Sequence, residues 1–329
     1  MRLDATNIIP ALTGQALEEA IKATKNKRLP IADGFIYEQT ITMMAADPGC
    51  GKSTIATQMA IELAAGLPVF GVFEVPRPMN VLYAQTERSI MEFLERIDII
   101  SKVYPICKDN LFVTDEYQKL NMLDPEHALL LIECVKRDCP KVDVIFFDPI
   151  YSMVSGGLSQ DVPASAFTHA MSAVQKATNC TLYYNHHTIK PQHNNRGEEI
   201  QRADPFYGSN WLKAHVTGSF HMQATKEGVT LIKKKDNYNL MPHTIALHYN
   251  AETGLSMIPN TELPAIEKIK NFIRAKGLMK KEFCFNDICE ETGLCNRTVR
   301  SALLHSSISA MLEVVSSIRN KNLYKMRGS

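Results

Sequence analysis

The chain has 329 residues, 45% of them hydrophobic and 22% charged, and its formal net charge at pH 7 is +1. This length allows a full hydrophobic core and suggests about two domains. No apolar stretch reaches the ~20 residues that a membrane-spanning helix needs, and the N-terminal residues lack the apolar block of a secretion signal, so we predict a soluble cytoplasmic protein without a membrane partner.

The first predicted segment in chain order is a lead-in, residues 1–38, with an amphipathic helix over residues 12–23. Short β-branched apolar runs then alternate with helical patterns. The predicted strands are residues 40–44, 80–84, 142–147 and 181–184, and the predicted helices are residues 55–64, 89–103, 126–137 and 164–177. This alternation predicts an α/β domain, residues 39–250, with a mostly parallel sheet covered by helices.

The pattern changes after residue 209, where hairpin signals begin. Three strands are predicted at residues 218–223, 229–234 and 244–249, as an antiparallel extension of the same sheet. A linker, residues 251–263, then leads to a tail domain, residues 264–329. The tail carries twelve Lys and Arg against six Asp and Glu. This excess favours an acidic partner such as DNA, and a solvated basic face is the alternative.

The tail has the pattern of three helices followed by a β-hairpin, which is typical of a winged helix. The predicted elements are a helix over residues 265–275, a helix over 287–291 capped by Asn286, a helix capped by Asn296, and strands over 312–318 and 322–326. We predict that Arg297 and Arg300 lie on a helix suited to a DNA groove and that Lys321 lies on the wing. Docking of a protein partner is the alternative.

The eight cysteines form no Cys-x-x-Cys pair. We therefore predict reduced thiols rather than disulfides. Cys284, Cys289 and Cys295 could form a zinc site with His305, but their spacing matches no standard zinc finger.

A phosphate-binding loop is the most specific motif of the chain. Residues 46–54 read ADPGCGKST, between an apolar β-rich run and a helical pattern. Small residues there let backbone N–H groups surround phosphate oxygens at the positive end of a helix. We predict that the loop binds ATP with Mg²⁺ through Pro48, Gly49, Cys50, Gly51, Lys52, Ser53 and Thr54. Lys52 would reach the β- and γ-phosphates, and Ser53 would bind Mg²⁺, with Thr54 as the alternative hydroxyl.

Three further strands end in polar residues suited to hydrolysis. Asp148 ends an apolar strand and is suited to hold Mg²⁺ through a water. Glu87 ends another and could polarise the attacking water, although a helix N-terminal charge is the alternative. His186 and His187 end the third strand, where a polar group could sense the γ-phosphate.

These segments together resemble the RecA-type cores of replicative helicases, specifically the plasmid and phage RepA type, a relative of DnaB. The matching residues are 49–54, 83–87, 147–149 and 186–190, within a resemblance that spans about residues 30–250. The resemblance implies catalytic roles for Lys52, Glu87, Asp148 and His186, with His187 as the fallback for the last. It also implies a homo-hexameric ring, single-stranded or forked DNA, and a replication-initiation partner.

Two positions depart from this family, both in the finger that acts on a neighbour's nucleotide. The residue before Gly208 is Tyr207 where such helicases carry Arg, and a later Lys-x-Arg motif reads Lys235-Asp236-Asn237. We predict that Lys235 supplies the missing charge, with Arg202 as the alternative.

Two polar segments, residues 152–161 and 191–207, correspond to loops that face the central channel of RecA-like rings. In and beside the second, we predict backbone contacts to nucleic acid from Lys190, Arg196 and Arg202. An ordinary surface loop is the alternative.

The sequence thus predicts an ATP-hydrolysing RecA-like motor, a ring-forming replicative DNA helicase. The alternative is a non-translocating, DNA-dependent ATP switch, such as a helicase loader or a partition or recombination-mediator ATPase. A small-molecule kinase is disfavoured, because no Arg-rich lid is evident.

Overall fold

The computed structural model describes residues 13–24, 29–87, 89–102, 109–188, 209–250, 253–258, 265–278, 281–318 and 321–327. The predicted contacts Lys190, Arg196 and Arg202, the second predicted channel loop and Tyr207 lie outside these ranges. No helix within them is long and apolar enough to cross a membrane.

The described residues form the following helices and strands. The helices are α1 (Gly14–Thr24), α2 (Lys52–Ala65), α3 (Ile90–Ser101), α4 (Pro125–Asp138), α5 (Asp161–Thr178), α6 (Asn210–His215), α7 (Ala265–Leu278), α8 (Phe285–Thr292), α9 (Asn296–Leu303) and α10 (Ser306–Ser309). The strands are β1 (Pro30–Ala32), β2 (Ile36–Tyr37), β3 (Ile41–Ala46), β4 (Val81–Gln85), β5 (Leu111–Thr114), β6 (Val144–Asp148), β7 (Thr181–His187), β8 (Gly218–Ala224), β9 (Gly228–Asp236), β10 (Thr244–Asn250), β11 (Leu255–Met257), β12 (Phe283–Cys284), β13 (Leu312–Ile318) and β14 (Lys321–Met326).

The main sheet has nine strands in the order β11-β10-β9-β8-β3-β7-β6-β4-β5. The six strands from β8 to β5 run parallel to one another, and β9, β10 and β11 add an antiparallel extension that begins with the pairing of β9 and β8. The predicted mixed α/β fold with a mostly parallel sheet is therefore confirmed. Since the carboxyl ends of parallel strands lie at one edge, β3, β7, β6 and β4 end together there.

Two hydrophobic cores cover the two faces of this sheet, because successive side chains of a strand point to opposite faces. Phe146 and Tyr183 pack in the core beside α2, with ring centroids 4.7 Å apart. Phe147 and Tyr184, one residue later in each strand, pack in the other core beside α4 and α5. The strands of the parallel sheet are almost wholly apolar because both faces of the sheet are buried. Burial of each large apolar side chain stabilises the fold by about 1.5–3 kcal/mol.

Two short elements lie where the sequence predicted connecting segments. The hairpin of β1 and β2 falls in the predicted lead-in, yet Phe35 between them is 1% exposed and packs against Phe220. Strand β11 falls in the predicted linker and pairs with β10, so that Leu255 lies opposite Asn250. Gly254, with φ +69°, makes the turn between them. Strands of two or three residues show no periodicity, which is why the sequence did not predict them.

The tail has its own core, which includes Ile269, Phe283 and Val299. In chain order α7, β12, α8, α9 and α10 precede the hairpin of β13 and β14, and β12 joins that hairpin in a sheet of order β12-β14-β13. The helices therefore come before the hairpin, as predicted. Both predicted caps are wrong, because each helix begins earlier than expected. Cys284 is the N-cap of α8, where its N–H donates to the Asp287 carboxylate at 2.6 Å, and Cys295 is the N-cap of α9. The winged-helix assignment stays a prediction.

The described cysteines are all free thiols. Burial raises the pKa of Cys139 to about 12 and that of Cys180 to about 11, so both are protonated at neutral pH. Among the described residues, no group of three or more His, Cys, Asp or Glu is placed to hold a metal ion.

Candidate active site

The predicted phosphate loop connects the end of β3 to the start of α2. Ala46 is the last residue of β3 and Lys52 the first of α2. Gly49 and Gly51 have φ values of +81° and +86°, in the left-handed region that favours glycine. Gly51 is the N-cap of α2, so the loop lies at the positive end of this helix dipole. This strand, loop and helix can bind a phosphate through backbone N–H groups.

Lys52 lies inside the loop rather than in solvent. Its side chain is buried, and Nζ donates to the carbonyl oxygens of Ala46 at 2.8 Å and Asp47 at 3.0 Å. Burial lowers the pKa of Lys52, and the nearby carboxylates of Asp148, Asp47 and Glu87 act in the opposite direction. The ammonium group is therefore held at the point where a phosphate chain would enter.

The end of β7 anchors the first residues of the loop. The Thr188 N–H donates to the Ala46 carbonyl at 3.3 Å, and the Thr188 hydroxyl donates to the Asp47 carboxylate. Thr188 was missed by sequence reasoning, because nothing in its local pattern distinguishes it from other residues that follow a strand.

Asp148, at the end of β6, is 2% exposed and accepts a hydrogen bond from the Tyr83 hydroxyl at 2.5 Å. Burial, followed by the charge of Asp148, raises the pKa of Tyr83, so its hydroxyl remains a donor. Tyr83 therefore fixes the orientation of the carboxylate, a contact that the sequence did not predict.

The residues around Asp148 fit a hydrated Mg²⁺. Phe147 and Tyr184 are level in β6 and β7, so Asn185 is adjacent to Asp148 at the strand ends. Asn185 is fully buried, and its amide oxygen and nitrogen have no hydrogen-bond partner in the part of the chain that the structure describes. Ser53, the second residue of α2, would add a hydroxyl oxygen ligand. Mg²⁺ bound there would supply positive charge to the phosphate oxygens.

Glu87 lies beyond the end of β4, next to β6, and is exposed. Its Oε1 accepts a hydrogen bond from the Tyr151 hydroxyl at 2.5 Å. Tyr151 belongs to a 3₁₀ turn, Ile150–Met153, that directly follows the Asp-Pro pair at the end of β6. Sequence reasoning missed Tyr151, because only the pairing of β4 with β6 brings it to Glu87.

His187 and His186 point to opposite faces of the sheet. His187 shares the face of Tyr183 and α2, whereas His186 shares the face of Tyr184 in the other core. Burial lowers the pKa of His187, as does Lys52, while Glu87 and Asp148 raise it. Its environment is therefore that of the phosphate loop. The geometry favours His187 over His186 as the residue beside the γ-phosphate.

A cleft of about 500 Å³ adjoins the phosphate loop on the side of the antiparallel extension. One wall is the loop and the start of α2, and the other is formed by the β8–β9 turn and by β10 and β11. The lining residues outside the loop include Thr225, Glu227, Gly228, Tyr249 and Ser256. A cleft of this size can hold a nucleoside beside its phosphates.

Lys235 lies away from this chain's own phosphate loop. In the sheet, Lys235 of β9 pairs with Ser219 of β8, and Ser219 pairs with Met43 in the middle of β3. Its Nζ donates to the carbonyl oxygens of Lys213 at 2.8 Å and Ala214 at 3.1 Å, at the end of α6. Lys235 thus caps α6, and its predicted role at a neighbour's nucleotide stays a prediction.

The predicted nucleic-acid residues of the tail lie on α9 and β14. Arg297 and Arg300 are exposed on α9, with the Arg300 guanidinium 5.7 Å from the centroid of the Phe285 ring. Lys321 is the first residue of β14.

The first predicted channel loop, residues 152–161, is only partly polar, because Leu158 in it is fully buried.

A family model described as an AAA domain matches residues 10–193, which is more than half of the chain. The matched range contains the phosphate loop, Glu87, Asp148, Tyr151 and His187. A search of curated proteins finds no match.

Proposed function

This chain belongs to the AAA domain family of P-loop ATPases, and on that premise we propose that it is a ring-forming replicative DNA helicase driven by ATP hydrolysis. The observation that carries the proposal is the shared edge of the sheet. Lys52, Asp148 and Glu87 come there from three separate parts of the chain, beside a cleft large enough for a nucleoside.

Each residue has a distinct role in the proposed reaction. Lys52 would bind the β- and γ-phosphates, and Ser53 and Asp148 would hold Mg²⁺, Asp148 through a water. Glu87 accepts a proton from the water that attacks the γ-phosphate. His187 contacts the γ-phosphate and senses its presence. Lys235 or Arg202 supplies a positive charge to the site of a neighbouring subunit.

Two measurements made together test the helicase proposal. Native mass measurement with a non-hydrolysable ATP analogue is expected to give a homo-hexamer, and a forked DNA substrate is expected to lose its displaced strand only when ATP is hydrolysed. A monomer that hydrolyses ATP but never displaces a strand would contradict the proposal and leave the ATP switch.

We also propose that the tail contacts the DNA backbone through α9 and the hairpin of β13 and β14. The support is charge: the tail carries an excess of basic residues, and Arg297 and Arg300 are both exposed on one helix. Lys and Arg contacts to phosphates release counterions, so such binding weakens as salt rises.

Replacing Arg297 and Arg300 together by Ala should lower non-specific DNA affinity. The slope of log affinity against log salt should flatten by about 0.7–0.9 for each phosphate contact that is lost. Fluorescence anisotropy with labelled DNA at several salt concentrations measures both effects. Lys119 and Lys136, two exposed lysines of the main domain, provide the control when replaced by Ala. Equal losses in the two double variants would show a general charge effect and no DNA site on α9.

A further inference from the structure

We propose that Tyr151 is a positioning residue for hydrolysis, which holds the carboxylate of Glu87 in place for the attacking water. The inference rests on the proposed function, in which Glu87 is the base. It is based on three adjoining strand ends, of β4, β6 and β7, which bring Glu87, Tyr151 and His187 into one row.

The contact between Tyr151 and Glu87 is direct and polar. The Tyr151 hydroxyl donates to Oε1 of Glu87 at 2.5 Å. A hydrogen bond to a charged carboxylate is stronger than one between neutral groups. Because Glu87 is otherwise exposed and follows the end of its strand, this bond restricts a side chain that would sample several rotamers in water.

The segments that carry the two side chains are also fastened to each other. The Thr86 N–H donates to the Asp148 carbonyl at 2.9 Å, and the Thr86 hydroxyl donates to the Pro149 carbonyl. The Ser152 Oγ lies 2.9 Å from both the Thr86 hydroxyl and the Pro149 carbonyl oxygen, and its single proton can be donated to either. The residues before Glu87 and after Tyr151 thus form one hydrogen-bonded unit, so the contact does not depend on two independent loops.

The other side of Tyr151 packs against His187, at the end of β7. Its ring centroid is 4.8 Å from that of His187, at an interplanar angle of 58°. His187 is level with Ala46, the last residue of β3 before the phosphate loop, so the row extends from the start of that loop to Glu87. Tyr151 can therefore place Glu87 at a defined distance from a γ-phosphate, which is the requirement for a general base.

Tyr151→Phe is the sharpest test, because it keeps the ring beside His187 and removes only the hydroxyl that binds Glu87. The kcat for ATP hydrolysis should fall by about 10-fold or more, whereas the Kd for a fluorescent ATP analogue should stay within about 2-fold, since ground-state binding does not use this bond. Tyr37→Phe is the matched control. The Tyr37 hydroxyl also donates to a carboxylate, that of Asp33 at 3.0 Å. The kcat of the Tyr37→Phe variant should not change.

A double variant separates a role through Glu87 from a general structural effect. In a Glu87→Gln background, Tyr151→Phe should change single-turnover hydrolysis by less than about 2-fold, because residues that act as a unit are not additive. Two outcomes would overturn the role of Tyr151 and leave Glu87 as the base. One is an equal loss from Tyr151→Phe in both backgrounds, and the other is an unchanged kcat in Tyr151→Phe when Glu87→Gln is inactive. Parental activity in Glu87→Gln would instead refute the base itself, and the role of Tyr151 with it.

Discussion

Lys52→Ala is expected to abolish nucleotide-dependent activity, with a loss of ATP affinity of roughly 100-fold or more. Lys52 is the buried cation of the phosphate loop, where Nζ is held between two backbone carbonyl oxygens. Removing it takes away the positive charge that the β- and γ-phosphates would contact. Titration with a fluorescent ATP analogue and an assay of phosphate release measure the two effects.

Loss of fold must be distinguished from loss of binding, since Lys52 also makes internal hydrogen bonds. Lys233→Ala is the matched control, because Lys233 is partly buried and its Nζ donates to the Met241 carbonyl at 2.8 Å. Both variants should show similar thermal unfolding, and only Lys52→Ala should fail to bind ATP. Parental ATP affinity in Lys52→Ala would refute the phosphate-site assignment.

Glu87→Gln is expected to bind ATP normally and to hydrolyse it about 100-fold more slowly or worse. The amide has nearly the shape of the carboxylate, and its oxygen can still accept the hydrogen bond from Tyr151, but it cannot take a proton from water. ATP binding and single-turnover hydrolysis should therefore separate in this variant.

Glu116→Gln provides the control for the same chemical change. Glu116 is an exposed glutamate just beyond the end of β5, the strand next to β4, and it forms an ion pair with Lys119. Its hydrolysis rate should equal that of the parent. If Glu87→Gln also hydrolyses ATP at the parental rate, another group activates the water.

The central sheet and the phosphate loop could be predicted because their signals are local. A glycine-rich turn between a strand and a helix is contiguous in sequence, and buried parallel strands appear as apolar runs. Asp148 and Glu87 could also be proposed as neighbours, since residues that end parallel strands meet at one edge. The structure confirms the sheet that makes this convergence possible.

Other parts of the site depended on contacts between distant segments. Tyr151 has no local signal, because its contact with Glu87 exists only when β4 pairs with β6. The choice between His186 and His187 depended on which face of β7 meets α2. Likewise β11 is too short for a periodic pattern and is stabilised by pairing with β10.

By itself, the sequence determined that this protein has a mostly parallel α/β core with a phosphate loop, because the chemistry of phosphate binding and the burial of parallel strands both leave contiguous patterns. Only the tertiary structure decided which side chains meet at the strand ends beside that loop: Tyr83 with Asp148, Tyr151 with Glu87, and Tyr151 with His187. The physical reason is strand register. A shift of one residue moves a side chain to the opposite face of the sheet, and register is set by packing across the whole core rather than by any single segment.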